Sequence, residues 1–157
     1  MDDREVMEAI RDLLRENLED PLEQWGQGSR EWIHTDMPLT RATYPRIQIV
    51  KRPSPAAGII DIGPEFLEWY SVILDIYFWY KAEFKWEKDG IYLKNEQLGE
   101  EYNTKIWTEG IKPYVKYMHD TYKITGLKNM ETTPPEKDKD SEFYKSSISV
   151  RLWYFRQ

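Results

Sequence analysis

Apolar and polar residues change their period several times along this chain, and each change marks an element. Val6, Ile10, Leu13, Leu14 and Leu18 recur at steps of three to four, which gathers apolar groups on one stripe of a helix. Asp2 or Asp3 can cap that helix, its acidic first turn suits the helix dipole, and Pro21 marks its end. Residues 23–43 lose the period through Gly26, Gly28, Ser29 and Pro38, although Trp25, Trp32 and Met37 predict that parts of this loop pack down. Residues 44–50 set Ile47 and Ile49 against Arg46 and Gln48, a half-buried strand entered through Pro45. Pro53, Pro55, Gly58, Gly63 and Pro64 punctuate a second loop over 53–66.

The strongest alternation runs from Glu68 to about Lys85. Tyr70, Val72, Leu74, Ile76, Phe78 and Tyr80 share one face, which must be core. Trp69, Ser71, Ile73, Asp75, Tyr77 and Trp79 share the other, too apolar for a purely solvated face. That face is either covered by the second helix within one subunit or buried against another subunit. Asp89-Gly90 predicts a hairpin turn. Residues 97–124 return to a helical period with Tyr102, Ile106, Tyr114, Val115, Met118 and Tyr122 on one side. Gly110 and Pro113 predict a kink or two shorter helices, and Gly126 a stop. Residues 128–142 are polar and proline-punctuated and read as a flexible loop. The last strand carries Tyr144, Ser146, Ile148, Val150, Leu152 and Tyr154 on one face and Lys145, Ser147, Ser149, Arg151, Trp153 and Phe155 on the other.

The expectation is one α+β domain over 1–157: a mostly antiparallel sheet of about four strands, with an N-terminal helix and one major, Pro-kinked helix packed on one face. Its composition adds an aromatic excess of seven Trp, eleven Tyr and five Phe. Those rings serve either a Tyr/Trp-rich core or surfaces that meet a partner. A net charge of −6 argues against duplex binding, and no sequence-specific nucleic-acid partner is expected. Arg41, Arg46, Lys51 and Arg52 form the one notable cationic cluster, read as a solvated strand face. The N-terminus lacks signal-peptide character. The most apolar run, 73–80, holds Asp75 and is far shorter than the roughly 20 residues of a membrane span, so no membrane partner is expected.

Candidate chemistry is sparse. Without cysteine there is no disulfide, thiolate nucleophile or Cys-based metal site. His34 and His119 have no ligand-spaced partner and read as surface histidines; Asp120 adjoins His119 but sequential helix residues do not face each other. No serine sits in a Gly-x-Ser-x-Gly elbow and no glycine run cradles phosphate. Asp75, amid apolar neighbours, is either a pKa-shifted acid or base or, more ordinarily, a salt-bridge partner. No catalytic, metal or cofactor site is assigned, and a binding or assembly protein is expected rather than an enzyme. A carboxylate enzyme would need a pocket holding two acids with opposed pKa shifts.

The order of elements resembles the tail-terminator and tail-completion proteins of long-tailed bacteriophages, with their minor-tail and neck relatives. The resemblance rests on the helix of 6–18, the Tyr-Pro-x-Ile-x-Ile strand of 44–50 and the aromatic strand of 70–80. The Pro113-containing helix of 106–118 and the strand of 148–155 complete it. The segments 23–43 and 128–142 are longer than the minimal pattern. The resemblance implies a ring, commonly hexameric, that caps the tail tube and joins it to the head-neck connector. Partners would be other copies, the tube protein and neck proteins. The location would be the virion, after assembly in the host cytoplasm. Trp69, Tyr77 and Trp79, backed by Trp153 and Phe155, are the candidate interface. The rival expectation is a monomeric or dimeric viral adaptor or host-modulating protein, which would present one exposed patch where a ring needs two complementary ones.

Overall fold

A long strand with one wholly apolar face must pair along its edges and cover that face, and helices supply the cover here. The structure is a computed structural model describing residues 2–21, 32–35, 44–53, 60–62, 67–139 and 142–156, with the backbone alone at 60–62, 67–69, 88 and 156. α1 (Asp3–Asn17) precedes β1 (Ile33–His34), β2 (Arg46–Lys51), β3 (Ile60–Ile62) and β4 (Leu67–Lys81). A hairpin of β5 (Trp86–Lys88) and β6 (Ile91–Leu93) leads to α2 (Asn95–Lys105). A π-helical turn (Ile106–Ile111) and a 3-10 turn (Lys112–Tyr114) join α2 to α3 (Val115–Tyr122), and β7 (Ile124–Lys137) and β8 (Phe143–Arg156) follow. The fold is α+β. Its main sheet runs β1-β2-β4-β8-β7, with β3 paired to β4. Every pairing is antiparallel except β1 with β2.

Local chemistry fixes the ends of these elements. Asp2 Oδ1 accepts from the Glu5 N–H at 2.8 Å while Glu5 Oε2 accepts from the Asp2 N–H at 2.9 Å, a reciprocal cap that starts α1. Asp89 and Gly90 both have positive φ (51° and 79°), the mirror-image turn that matches strand twist in a two-residue hairpin. Lys123, at φ 58°, ends α3 in the left-handed conformation. The helix therefore stops three residues before Gly126, which lies in β7 opposite Trp153. A Cβ on Gly126 would stand 3.1 Å from that indole.

All the helices lie on the sheet face bearing Tyr70, Val72, Leu74, Ile76, Phe78 and Tyr80, and α1 buries Val6, Ile10, Leu13 and Leu14 there. Tyr102 of α2 is the hub. It stacks on Phe78 at 4.3 Å and meets Trp86 at 5.3 Å and Trp32 at 6.1 Å, while its hydroxyl donates to the Glu19 carbonyl at 2.9 Å. Part of the aromatic excess thus belongs to the core. The π-helical turn brings Gly110 against α1, where a Cβ would come 2.5 Å from Leu14 Cδ2. Together with Pro113 it divides the predicted long helix in two.

One loop expectation needs correction, and the other two gain short strands. Residues 128–137 are not a flexible loop but the outer part of β7, hydrogen-bonded to β8. Backbone pairing rather than apolar burial holds it, so a polar composition is no obstacle on an exposed edge. Pro134 and Pro135 fit because the strand is an edge with a register shift between Thr133 and Glu136. Within the other two loops, Trp32 packs down as expected and Ile33–His34 and Ile60–Ile62 add short strands. Apart from Thr35 and Pro53, the remainder of 23–43 and 53–66 lies outside the described residues.

Gly99 of α2 sits where a Cβ would be 2.5 Å from Pro135 Cγ and 2.6 Å from the Tyr80 hydroxyl, itself bonded to the Asn95 carbonyl at 2.5 Å. Gly99→Ala should lose about 1 kcal/mol or more by denaturant titration, because overpacking of about 1–3 kcal/mol outweighs the helix-propensity gain. An unchanged midpoint would show that α2 shifts freely.

Burial pushes the Tyr80 and Tyr102 phenols above the ordinary tyrosine value of 10.0. The unfolded chain releases these protons near that value and the folded chain keeps them, so the unfolded state binds fewer protons and stability falls as pH rises. This contribution is whole below pH 10.0 and is lost progressively above it. Denaturation midpoints should drop on the alkaline side, and Tyr80→Phe should flatten the drop. A pH-independent alkaline limb in the parent chain would contradict this.

Candidate functional site

β4 and β8 pair without interruption from Glu68 opposite Arg156 to Lys81 opposite Phe143. Alternation therefore sends Trp69, Ser71, Ile73, Asp75, Tyr77 and Trp79 to the face away from the helices, beside Lys145, Ser147, Ser149, Arg151, Trp153 and Phe155. Among the described residues, no helix or strand covers this face. Of the two alternatives, cover by the second helix does not occur, because Tyr102 packs α2 onto Phe78 on the opposite side.

The register brings the five candidate interface residues onto this one surface, in two groups. Trp69 pairs with Phe155 near one end, next to the Ser71–Trp153 pair. Tyr77 and Trp79 lie toward the other end, with ring centroids 6.4 Å apart. Tyr77, Trp79, Trp153 and Phe155 are half-buried, and the side chain of Trp69 lies outside the described residues. Lys145 Nζ stands 5.1 Å from the Tyr77 ring and 5.2 Å from the Trp79 ring, and Trp79 Nε1 donates to Gln48 Oε1 at 3.3 Å. The Arg151 guanidinium lies 5.8 Å from the Trp153 ring. At the border, Tyr44 packs on Phe143 at 4.4 Å under the Arg46 guanidinium, 4.0 Å from the Tyr44 ring. Burial pushes Arg46 below its ordinary value, partly opposed by Tyr44. A groove of about 380 Å³ lies here, walled by Trp79, Phe143 and Lys145 and by Glu136 to Lys139 of β7 and its turn.

Between the aromatic groups lies a polar centre. Asp75 accepts from Arg52 Nη2 at 2.8 Å and Nε at 3.3 Å, and the buried Ser149 hydroxyl donates to it at 2.6 Å. Asp75 is therefore a salt-bridge partner within its own chain. The carboxylate's hydrogen bond and charge raise the Arg52 pKa. The predicted cationic cluster divides: Arg46 and Arg52 serve this face, Lys51 pairs with Asp3 of α1 on the helical side, and Arg41 lies outside the described residues.

His34 lies in β1 and His119 is exposed, with Nδ1 3.2 Å from Asp120 Oδ1, so the two neighbours do meet at the helix surface. Among the described residues, no three His, Asp or Glu side chains converge to hold a metal ion. Among the same residues, no helix is long and apolar enough to cross a membrane. No protein-family model matches the chain, and no curated protein matches it.

Asp75→Ala would leave the buried Ser149 hydroxyl and the Arg52 fork without their acceptor. It should cost about 1–3 kcal/mol by denaturant titration. The exposed Lys145→Ala should stay within about 0.5 kcal/mol. Comparable losses would mean that both hold the fold.

Proposed function

We propose that this chain is a tail-completion protein of a tailed virus, a structural subunit that assembles on the end of a tail tube and links it to the head-neck connector. The observation that carries the reading is the sheet face that no described helix or strand covers, with its half-buried rings. A monomer gains little by leaving Tyr77, Trp79, Trp153 and Phe155 on an open face, whereas a subunit gains an interface rich in the residues that dominate binding energy. The resemblance of the sequence pattern to tail-terminator proteins supports the same reading.

A second exposed apolar site favours a ring over an adaptor. Ile91 and Tyr92, beside the tight turn of the β5–β6 hairpin, are 65 % and 55 % exposed, and they lie on a separate two-stranded sheet. An adaptor with one patch has no use for both. A subunit touching two different neighbours does, because a ring joins unlike surfaces. The mechanism is structural: copies cover the growing edge of the tube and offer the connector a new surface.

Trp79→Glu should weaken assembly at least tenfold, read by native mass spectrometry over a concentration series and by decoration of tube ends in electron micrographs. Its melting temperature at low protein concentration should stay close to that of the parent. Closed rings, or density at tube ends, that vanish in the variant support the reading. An equal loss of melting temperature at every concentration would return Trp79 to the monomer's fold and remove the main support.

A further inference from the structure

The two broad faces of the molecule differ in charge. On the sheet face Arg46, Arg52, Lys128, Lys145 and Arg151 outnumber Asp75, Glu131 and Glu136, although the chain as a whole carries −6. The helical layer is the reverse: α1 holds five carboxylates against three arginines, and residues 95–122 hold five against three lysines. One of those lysines, Lys105, is buried over the Trp86 ring at 4.6 Å and adds little positive charge to the surface.

We infer that the open sheet face docks the acidic helical layer of a second copy of this chain, head to tail. The inference rests on the assembly reading above and names its contact. Two sheet faces meeting about a twofold axis would press Arg46, Lys145 and Arg151 toward their own copies, and two helical faces would oppose carboxylates. Only the unlike pairing joins opposite charges. Repetition of a head-to-tail contact produces a ring where the rotation closes, and an open stack otherwise.

The test pairs two charge-reversed chains, changed only at exposed positions: Lys128→Glu with Lys145→Glu on the sheet face, and Glu16→Lys with Glu100→Lys on the helical layer. Circular dichroism and melting temperature establish that each folds. Sedimentation velocity at low salt should show the parent associating, more weakly as salt rises. Each variant alone should associate at least tenfold more weakly, and an equimolar mixture should regain assembly, because reversal on both faces restores opposite signs. Undiminished association of the Glu16/Glu100 variant overturns the inference in favour of sheet-to-sheet contact. A parent chain that stays monomeric throughout also overturns it. Capture of a single-stranded oligonucleotide by such a monomer, lost in the Lys128/Lys145 variant, would reassign the face to nucleic acid. The tail reading fails separately, when parent chains that associate head to tail do not decorate tube ends.

Discussion

Fourteen consecutive residue pairs join β4 to β8 with no bulge, and the rest of the molecule follows from that ladder. Because side chains alternate, an unbroken register assigns every residue of both strands to one of two faces, and a slip of one position would exchange them. The chosen register sends Val72, Leu74, Ile76, Val150 and Leu152 to the helices and Asp75, Ser149, Lys145 and Arg151 away from them. The Arg52–Asp75–Ser149 network sits across β4 and β8 on the far side and penalises such a slip, which would bury two charged groups among apolar ones.

α1 attaches to this frame through aliphatic packing, whereas α2 and the hairpin attach through rings. Phe78, Tyr80, Tyr102, Trp86 and Trp32 form one contiguous set of contacts, so α2, the hairpin and β1's approach all depend on where Tyr102 lands. With that cover on one side, the other side keeps its rings at the surface. The aromatic excess thus has two destinations, one in the core and one half-buried on the far face of the sheet.

Elements with a strong period were readable from the sequence: α1, β2, β4, β8 and the Asp89-Gly90 hairpin. β7 was not, because its hydrogen bonds go to β8 while most of its side chains face solvent, so hydrophobic periodicity carries almost no trace of it. Two prolines near its end strengthen the impression of a loop. β1 and β3, at two and three residues, are too short to establish any period. Alternation placed Tyr77, Trp79, Trp153 and Phe155 on one side of their strands, but not the side on which the helices lie. That choice comes from long-range contacts such as Tyr102 with Phe78, which leave no local signature. Likewise the sequence marked Asp75 as unusual, whereas its partner Arg52 lies 23 residues earlier and becomes a neighbour only through the β2–β4 register.

Pro134 and Pro135 give β7 a significance beyond its pairing with β8. A bare edge strand of this length invites another chain to extend the sheet through main-chain hydrogen bonds, the route to domain swapping and amyloid-like growth. The prolines leave the strand two main-chain donors short, and the register shifts along β7 distort its outline. Sheet extension is obstructed there, and the contact between copies proposed above would run through side chains. Contacts of that kind respond to salt and to single charges and can be undone, so in the proposed assembly a subunit built this way would join a polymer without seeding one of its own.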